Sequence, residues 1–173
     1  MNLVKITELF DIQYGNQFDL NKMEVVNHVN AEYVNFISRT AKKNGVAAKV
    51  KKIIKKDPFP KGYLTVALGG SILSTFVQPQ PFYTGQNVAV LKPKQNLTDN
   101  EKLYYCQALK QNDFRYTACG REANRTLKDL LIPARSEIPD WVNKTDINKF
   151  DNAFQTFSGK IPLGLNKNNW SWF

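Results

Sequence analysis

The chain has 173 residues, of which 42% are hydrophobic, and this size and composition argue against two independent domains and favour one domain with its own core. Lys and Arg outnumber Asp and Glu by 24 to 15, so the net charge is +9, which favours a polyanionic partner. A single histidine and two cysteines, Cys106 and Cys119, make a tetrahedral zinc site improbable.

Short strands are predicted over the first hundred residues, because apolar and β-branched runs recur there between Gly, Asn and Pro clusters. Lys5 and Glu8 interrupt the start, MNLVKITELF, so we expect neither a signal peptide nor a membrane span and assign the protein to the cytoplasm. The candidate strands are ELFDIQY, EYVNFIS, GVAAKVKKI, GYLTVAL, ILSTFV and NVAVLK. Together they predict one curled, mostly antiparallel sheet.

Helical patterns follow the strands. In TDNEKLYYCQALKQ, Thr98 and Glu101 form a capping box ahead of apolar residues at helical spacing. The shorter NRTLKDLLIP predicts a second helix, capped by Thr126 and ended before Pro133. A third helix is expected where Ile147, Phe150 and Phe154 share a face.

These elements predict an α+β fold, a curled and mostly antiparallel sheet with a few helices. We expect one recognition domain at residues 1–141. Residues 142–173 form a short helical tail rich in aromatic residues, and it is expected to pack on the domain or on a partner, because large exposed apolar clusters are uncommon in monomers.

The sequence lacks the usual catalytic signatures. DPFP, at residues 57–60, departs from the Asn/Asp-Pro-Pro-Tyr motif of amino-methyltransferases at its last two positions and lacks the aromatic residue that stacks on a flipped base. TDNEK and PDWVNK both miss the acidic and lysine spacing of a metal-dependent nuclease. We therefore expect a protein that is not an enzyme, with no metal and no cofactor.

Lysines dominate the segment between residues 42 and 61, which contains eight of them and one acid, Asp57. In GVAAKVKKI, apolar residues alternate with Lys49 and Lys51, so a strand there would point both lysines outward, with Lys52 directly after them. Such a strip would neutralise backbone phosphates, and its affinity would fall steeply with salt. The alternative is an ordinary solvated strand face.

Two polar loops carry the side chains best suited to reading bases. NFISRTAKKNG presents Ser38, Arg39, Thr40, Lys42 and Asn44. Arginine fits a guanine edge and asparagine or glutamine an adenine edge, because each forms two hydrogen bonds in a planar fork. The alternative is a plain polar hairpin turn.

The second loop lies in YTACGREANRTLKDL, where Arg121, Asn124 and Arg125 gather just before the predicted helix start at Thr126. Arginines beside a helix N-terminus oppose the helix dipole, which suggests that a ligand anion shares the site. The alternative is that Glu122 pairs with one of the arginines.

Read in order, LFDIQYG, NFISRTAKKNGVAAKV, FPKGYLTVALGGSILSTFVQPQPFYTGQNVAVLKP, EKLYYCQAL and YTACGREANRTLKDLLIP resemble the target recognition domain of type I restriction-modification specificity subunits. The same domain occurs in related type II enzymes. The resemblance covers residues 6–141, and the ordered set is far more specific than any one piece.

The resemblance implies a domain that reads double-stranded DNA without catalysing a reaction. Its partners would be N6-adenine methyltransferase and restriction subunits, or a larger restriction-modification enzyme. In this family loops between strands enter the DNA grooves, which would place five further residues of the middle segment on the DNA side: Gly70, Ser71, Gln78, Gln80 and Tyr83.

Three alternatives stay open. Full specificity subunits carry two recognition domains, whereas this chain has one, so it would be a half-subunit that pairs with itself or a lone module beside a larger enzyme. A second alternative is that the protein binds RNA or single-stranded nucleic acid and stacks bases on Phe82 and Tyr83. A decoy that interferes with a host restriction complex would share the same fold.

Overall fold

The computed structural model describes residues 2–26, 32–117 and 122–146. The strands are β1 (Leu3–Lys5), β2 (Phe10–Tyr14), β3 (Tyr33–Ile37), β4 (Val46–Lys51), β5 (Leu64–Ala67), β6 (Thr75–Val77), β7 (Phe82–Thr84), β8 (Val88–Pro93) and β9 (Leu131–Pro133). The helices are α1 (Ile6–Leu9), α2 (Asp99–Lys110), α3 (Phe114–Thr117) and α4 (Asp140–Lys144).

The described strands form three sheets instead of the single curled sheet that the sequence predicts. The largest has the order β2-β8-β5-β6 and is antiparallel throughout. A second has the order β4-β3-β7, in which β3 and β7 run parallel, and β1 pairs with β9. The predicted α+β class with mostly antiparallel sheets is confirmed. The prediction of a single sheet is wrong, because β7 does not pair with β6, the strand before it, but pairs with β3 in a different sheet.

Residues 79–81 explain that departure. Pro79 and Pro81 have no backbone N–H with which to continue a hairpin ladder, so the chain leaves β6 after Val77. The Pro81 carbonyl then accepts a hydrogen bond from Asn35 N at 3.2 Å, which starts the parallel pairing with β3.

The capping box at the start of α2 is confirmed. The Thr98 hydroxyl accepts from Glu101 N at 3.2 Å, and the Glu101 carboxylate accepts from Thr98 N at 2.7 Å. Both orphan donors at the helix start are therefore satisfied.

The predicted helix after Thr126 is wrong. Only a single turn of 3-10 helix forms, at Leu127–Asp129, and the Thr126 side chain does not cap it. The chain then enters β9, where Ile132 is completely buried in the main core and pairs with Val4. Tertiary burial overrides a short helical pattern here, because a helix of one or two turns gains little by itself.

The main core lies between the four-stranded sheet and α2, which contributes Tyr105, Cys106 and Leu109. A second core forms on one side of the β4-β3-β7 sheet around Val34, Phe36, Val50 and Tyr83. A third core, containing Ile37, Phe82, Val88 and Val90, joins the two larger sheets. The β4-β3-β7 sheet is therefore packed on both of its faces, and this packing fixes the strands from which its connecting loops project.

Helix α4 packs against the start of α2. The Asn100 amide donates to the carbonyls of Val142 and Thr145 at 2.6 and 2.8 Å, and the Val142 side chain is buried. The predicted helix around Ile147, Phe150 and Phe154 lies outside the described residues. In the part of the chain that the structure describes, no helix is long and apolar enough to cross a membrane.

Candidate nucleic-acid interface

The loop between β3 and β4 is held in a tight conformation by its own backbone. Ser38 N donates to the Gly45 carbonyl at 2.8 Å, and Gly45 N donates to the Lys42 carbonyl at 2.9 Å. Lys43, Asn44 and Gly45 all adopt positive φ, which turns the chain sharply between the strands. The loop therefore exposes side chains from a fixed scaffold.

Five predicted residues lie on this loop. The Thr40 hydroxyl accepts from Lys42 N at 3.2 Å, which orders the chain just beyond Arg39. Arg39, Lys42 and Asn44 are exposed, and Ser38 and Thr40 are half-buried. The loop accordingly presents a guanidinium, an ammonium and a carboxamide to solvent.

The turn at Gly70 lies directly against Arg39. Ser71 N donates to the Arg39 carbonyl at 3.1 Å. Gly70 has a φ of +65°, and a Cβ added there would lie 3.0 Å from the same carbonyl oxygen. The structure thus brings together Arg39, Gly70 and Ser71, which are about thirty residues apart in the sequence, and only glycine allows so close an approach.

Glu122 links this turn to the loop that carries Asn124. The Arg39 guanidinium and the Glu122 carboxylate lie 3.6 and 3.1 Å from the position that a Cβ on Gly69 would occupy. Glu122 accepts hydrogen bonds from the side-chain amides of Asn87 at 2.8 Å and Asn124 at 2.7 Å. One carboxylate therefore orients two carboxamides beside an arginine.

A groove with a volume of about 340 Å³ opens next to this cluster. Its lining residues are Tyr14, Gln17, Leu68, Asn87, Val88, Asn124 and Arg125. The Tyr14 hydroxyl donates to the Asn124 carbonyl, which fixes one wall. Gln17 and Asn87 both have positive φ. Asparagine tolerates this conformation, whereas it strains Gln17, and such strain is concentrated at functional sites.

Sequence reasoning identified Asn124 and Arg125 but missed Tyr14, Gln17 and Asn87 and gave Glu122 a different role. The GQN turn before β8 was a usable signal, because asparagine is one of the few residues that tolerates positive φ. The argument from a helix dipole at Arg125 no longer applies, since that segment contains only a single 3-10 turn. Arg121 lies outside the described residues.

Gln78 and Tyr83 do not belong to this surface, because both side chains are completely buried. The Gln78 amide donates to the Asn44 carbonyl at 3.0 Å and to the Thr65 hydroxyl at 2.8 Å. Gln78 therefore supports the Arg39 loop from below. Gln80 is exposed in the turn between β6 and β7.

Tyr83 supports a different segment. Its hydroxyl accepts from Ile53 N at 3.1 Å and donates to the Lys56 carbonyl. It thus anchors the lysine-rich turn that follows β4.

The predicted lysines lie along β4 and beyond its end. Lys49 and Lys51 flank the buried Val50, as the alternation predicts. Lys51 is 3.3 Å from the Glu24 carboxylate, and this hydrogen bond raises the pKa of Lys51. Lys52 follows on the exposed turn. Counted from Gly45 at the end of the Arg39 loop, Lys49 lies about 13 Å and Lys51 about 20 Å along β4, at about 3.3 Å per residue, so the lysines extend away from the loop along this strand.

A family model described as the type I restriction modification DNA specificity domain matches residues 1–133. The chain belongs to this family. Within the three described ranges, no group of three or more His, Cys, Asp and Glu residues is placed to hold a metal ion.

Among curated proteins, this specificity domain is similar to the "Type II restriction enzyme BgcI specificity subunit S.BcgI" of Heyndrickxia coagulans. The two are 29% identical over 177 residues, which cover 96% of this chain and 47% of the relative.

Two solved structures share the fold. The S subunit of a type I restriction-modification system from M. genitalium has a TM-score of 0.65 at 16% identity, covering 91% of this chain and 41% of that one. A chain from a structure of complex assembly in the type I R-M system has a TM-score of 0.59 at 16% identity, with 91% and 39% covered. The specificity domain spans less than half the length of each of these relatives.

Proposed function

We propose that this specificity domain recognises a particular sequence in double-stranded DNA and directs partner subunits to it. The observation that carries the proposal is the cluster in which Glu122 joins Asn87 and Asn124 beside Arg39 and the Gly70 turn. The net charge of +9 supplies the attraction to phosphates that any such protein needs.

The chemistry of this cluster suits base edges. Each carboxamide has two N–H donors and one carbonyl oxygen, and Glu122 occupies one donor of Asn87 and one of Asn124. One donor and one acceptor remain on each amide, which is the pair that reads an adenine edge. Arg39 supplies the fork that reads guanine, and the exposed Gly70 allows backbone to approach the duplex closely.

The proposed DNA surface therefore contains the Arg39 loop, the Gly70 turn and the walls of the groove. Gln78 supports the Arg39 loop from beneath, Tyr83 anchors the lysine-rich turn that follows β4, and the lysines along β4 act as phosphate anchors. Its predicted members on described residues are Ser38, Arg39, Thr40, Lys42, Asn44, Lys49, Lys51, Lys52, Gly70, Ser71, Gln80, Asn124 and Arg125.

We assign methylation and cleavage to partner subunits, so the chain itself is a non-catalytic module that works in the cytoplasm. In this cluster the Glu122 carboxylate orients two amides beside a guanidinium, an arrangement suited to recognition. We propose residues 1–141 as the recognition domain, with residues 142–173 as a short tail that packs on the domain or on a partner; the start of this tail, at Val142 and Thr145, packs on α2.

Binding of single strands is disfavoured by the burial of the two aromatic residues that it would use. Phe82 and Tyr83 are both completely buried, so neither can stack on an unpaired base.

Selection from a random pool of duplexes tests the proposal. The full chain, at low salt, should enrich duplexes that share a short motif, and single-stranded DNA or RNA of that motif should compete poorly. A pool without an enriched motif, or a preference for single strands, would contradict duplex reading. A second experiment adds the chain to a partner methyltransferase and a duplex that carries the motif. A specificity module should direct methylation to the motif, whereas a decoy should suppress methylation.

A further inference from the structure

The turn that follows β4, residues 51–57, has the sequence KKIIKKD, and we call it the lysine turn. Ile54 lies at its tip with its side chain 100% exposed, and Ile53 beside it is 41% exposed. Single exposed apolar residues are ordinary on protein surfaces. Two further properties distinguish Ile54: hydrogen bonds fix the backbone of the turn that carries it, and lysines surround it.

Hydrogen bonds hold the backbone of the lysine turn on both sides of Ile54. Lys56 N donates to the Ile53 carbonyl at 3.1 Å, which closes the turn across Ile54. The Tyr83 hydroxyl binds the same two residues, accepting from Ile53 N and donating to the Lys56 carbonyl. Tyr83 is completely buried and packs edge-on against Phe18 at 5.4 Å. Ile54 therefore projects into solvent from a turn that is anchored to the protein core through Tyr83.

The surroundings of the tip are strongly basic. Exposed lysines precede and follow the two isoleucines, namely Lys51, Lys52, Lys55 and Lys56. Glu24 pairs with Lys51 at 3.3 Å, whereas Lys55 and Lys56 follow the tip directly, ahead of the one acid of the turn, Asp57. A polyanion that approaches Ile54 would meet ammonium groups on both sides.

We propose that Ile54 is a wedge that enters double-stranded DNA between adjacent base pairs, while the flanking lysines bind the phosphates of the widened step. Apolar side chains inserted in this way unstack the step and kink the duplex by about 20–90°. The inference rests on the proposed function, since it requires a bound duplex. It adds a distortion of the DNA to the reading of its bases.

The position of the wedge relative to the reading surface follows from β4. The six residues of this strand separate the lysine turn from the Arg39 loop by about 20 Å, which equals about six base pairs at 3.4 Å each. The kinked step should therefore lie about six base pairs from the base that Arg39 contacts, and outside the bases read at the groove. Membership of a DNA specificity family favours a duplex over an anionic membrane as the partner.

The experiment uses the full chain and a 30-base-pair duplex carrying the motif enriched in the selection described above. Energy transfer between dyes at the two ends reports the bend, and 2-aminopurine placed at successive positions reports unstacking. We expect the wild-type chain to bend the duplex and to brighten the probe at one step. Ile54→Ala should lose both signals at an unchanged melting temperature of the protein, and Ile54→Leu should keep them.

Leu103→Ala is the matched control, because Leu103 is an aliphatic side chain, 45% exposed, on α2. It should bend DNA as the wild type does. Equal bending and equal probe signals for the wild type and Ile54→Ala, with sequence-specific binding intact, would overturn the wedge and leave the proposed function standing. Failure of the wild-type chain to retain any duplex would overturn both. Binding to phosphatidylserine vesicles that depends on Ile54, without any bend in DNA, would assign the tip to membranes and overturn the wedge.

Discussion

The Arg135 guanidinium binds the buried Glu101 carboxylate with two hydrogen bonds, from Nε at 2.9 Å and from Nη2 at 3.1 Å. It also donates to the Gln95 side chain and to the Asn96 carbonyl. Burial alone would raise the pKa of Glu101, but the hydrogen bonds from Arg135 and Thr98 outweigh it and hold the pKa below its usual value. The pair fastens the segment after β9 to the start of α2.

Stability should therefore depend on this pair in a pH-specific way. A carboxylate whose pKa is lowered by folding stabilises the fold fully above its unfolded pKa, about 4.3, and loses that contribution as the pH falls through the lower folded pKa. Arg135→Ala should reduce the free energy of unfolding at pH 7 by about 2–3 kcal/mol, less than for a fully buried pair, because the Arg135 side chain is 39% exposed.

Urea unfolding at pH 7 and pH 3 measures this dependence. The difference between the wild type and Arg135→Ala should be smaller at pH 3 than at pH 7, because the carboxyl group of Glu101 in the unfolded chain becomes protonated below its pKa of about 4.3. Lys94→Ala, which removes an exposed pair with Asp11 at 3.7 Å, should change stability little at either pH. A difference for Arg135→Ala that stays the same at both pH values would show that the charge on Glu101 is unimportant.

A comparison of alanine substitutions at two glycines with positive φ distinguishes the effect of backbone strain on stability from an effect on DNA binding. Gly70 has a φ of +65° and would place a Cβ 3.0 Å from the Arg39 carbonyl, whereas Gly62 has a φ of +87° and would meet only the Lys102 ammonium at 3.7 Å. The left-handed backbone alone should make each substitution to alanine destabilising by about 1 kcal/mol, and Gly70→Ala should cost more because its Cβ would also crowd the Arg39 carbonyl.

Only Gly70→Ala should also weaken DNA binding, since it alone displaces Arg39. Binding titrations with the selected duplex, beside thermal unfolding, make the comparison. Equal DNA affinity for the two variants would remove the Gly70 turn from the interface.

Gln78 should behave as a structural support. Gln78→Leu leaves the Asn44 carbonyl and the Thr65 hydroxyl without their buried partner, which should lower the free energy of unfolding by about 1–3 kcal/mol. Because the Arg39 loop then loses its support, affinity should fall together with the preference at the base pair that Arg39 reads. The matched control is Gln80→Ala, an exposed glutamine two residues away, whose stability should match that of the wild type. Unchanged stability together with unchanged DNA preference for Gln78→Leu would show that the Arg39 loop does not depend on Gln78.

Tyr83→Phe should loosen the lysine turn without disturbing the core. It keeps the ring that packs on Phe18 and removes the hydroxyl bound to Ile53 N and the Lys56 carbonyl. The cost is expected to be about 1–2 kcal/mol. Hydrogen exchange followed by NMR should show a faster-exchanging Ile53 amide, while the Asn35 amide, bound to the Pro81 carbonyl, serves as an internal reference. An unchanged Ile53 amide would mean that the turn is rigid without Tyr83.

The elements that the sequence predicts well are those whose signal is local. The capping box of α2 needs only Thr98 and Glu101, and the alternation in β4 needs only neighbours along the strand. Strands β7 and β9 have three residues each, too few for a period to be read, and their pairing depends on distant partners. For that reason one curled sheet was predicted where the described residues form three.

The candidate site shows the same division. Polar loops and the Gly70 turn were recognisable from residue types, because arginine, asparagine and glycine have distinctive chemistry. Gln78 looked like one more loop residue between strand-like runs, yet Thr65 and Asn44, which bury it, come from 13 and 34 residues away. Glu122 was considered as a partner for an arginine, and its two amide ligands, Asn87 and Asn124, could be found only from the fold.

The central claim, that the surface around Arg39 reads bases, is tested most directly by comparing Arg39→Ala with Lys42→Ala, two exposed cations on one loop. Each variant is titrated with the selected duplex and with every single-base change of it, at two salt concentrations. Arg39→Ala should relax preference at one base pair by about 1–3 kcal/mol, whereas Lys42→Ala should weaken all sequences equally and reduce the salt dependence. A uniform loss with Arg39→Ala, with the same preference at every position, would contradict base reading by Arg39 and leave it as a backbone anchor.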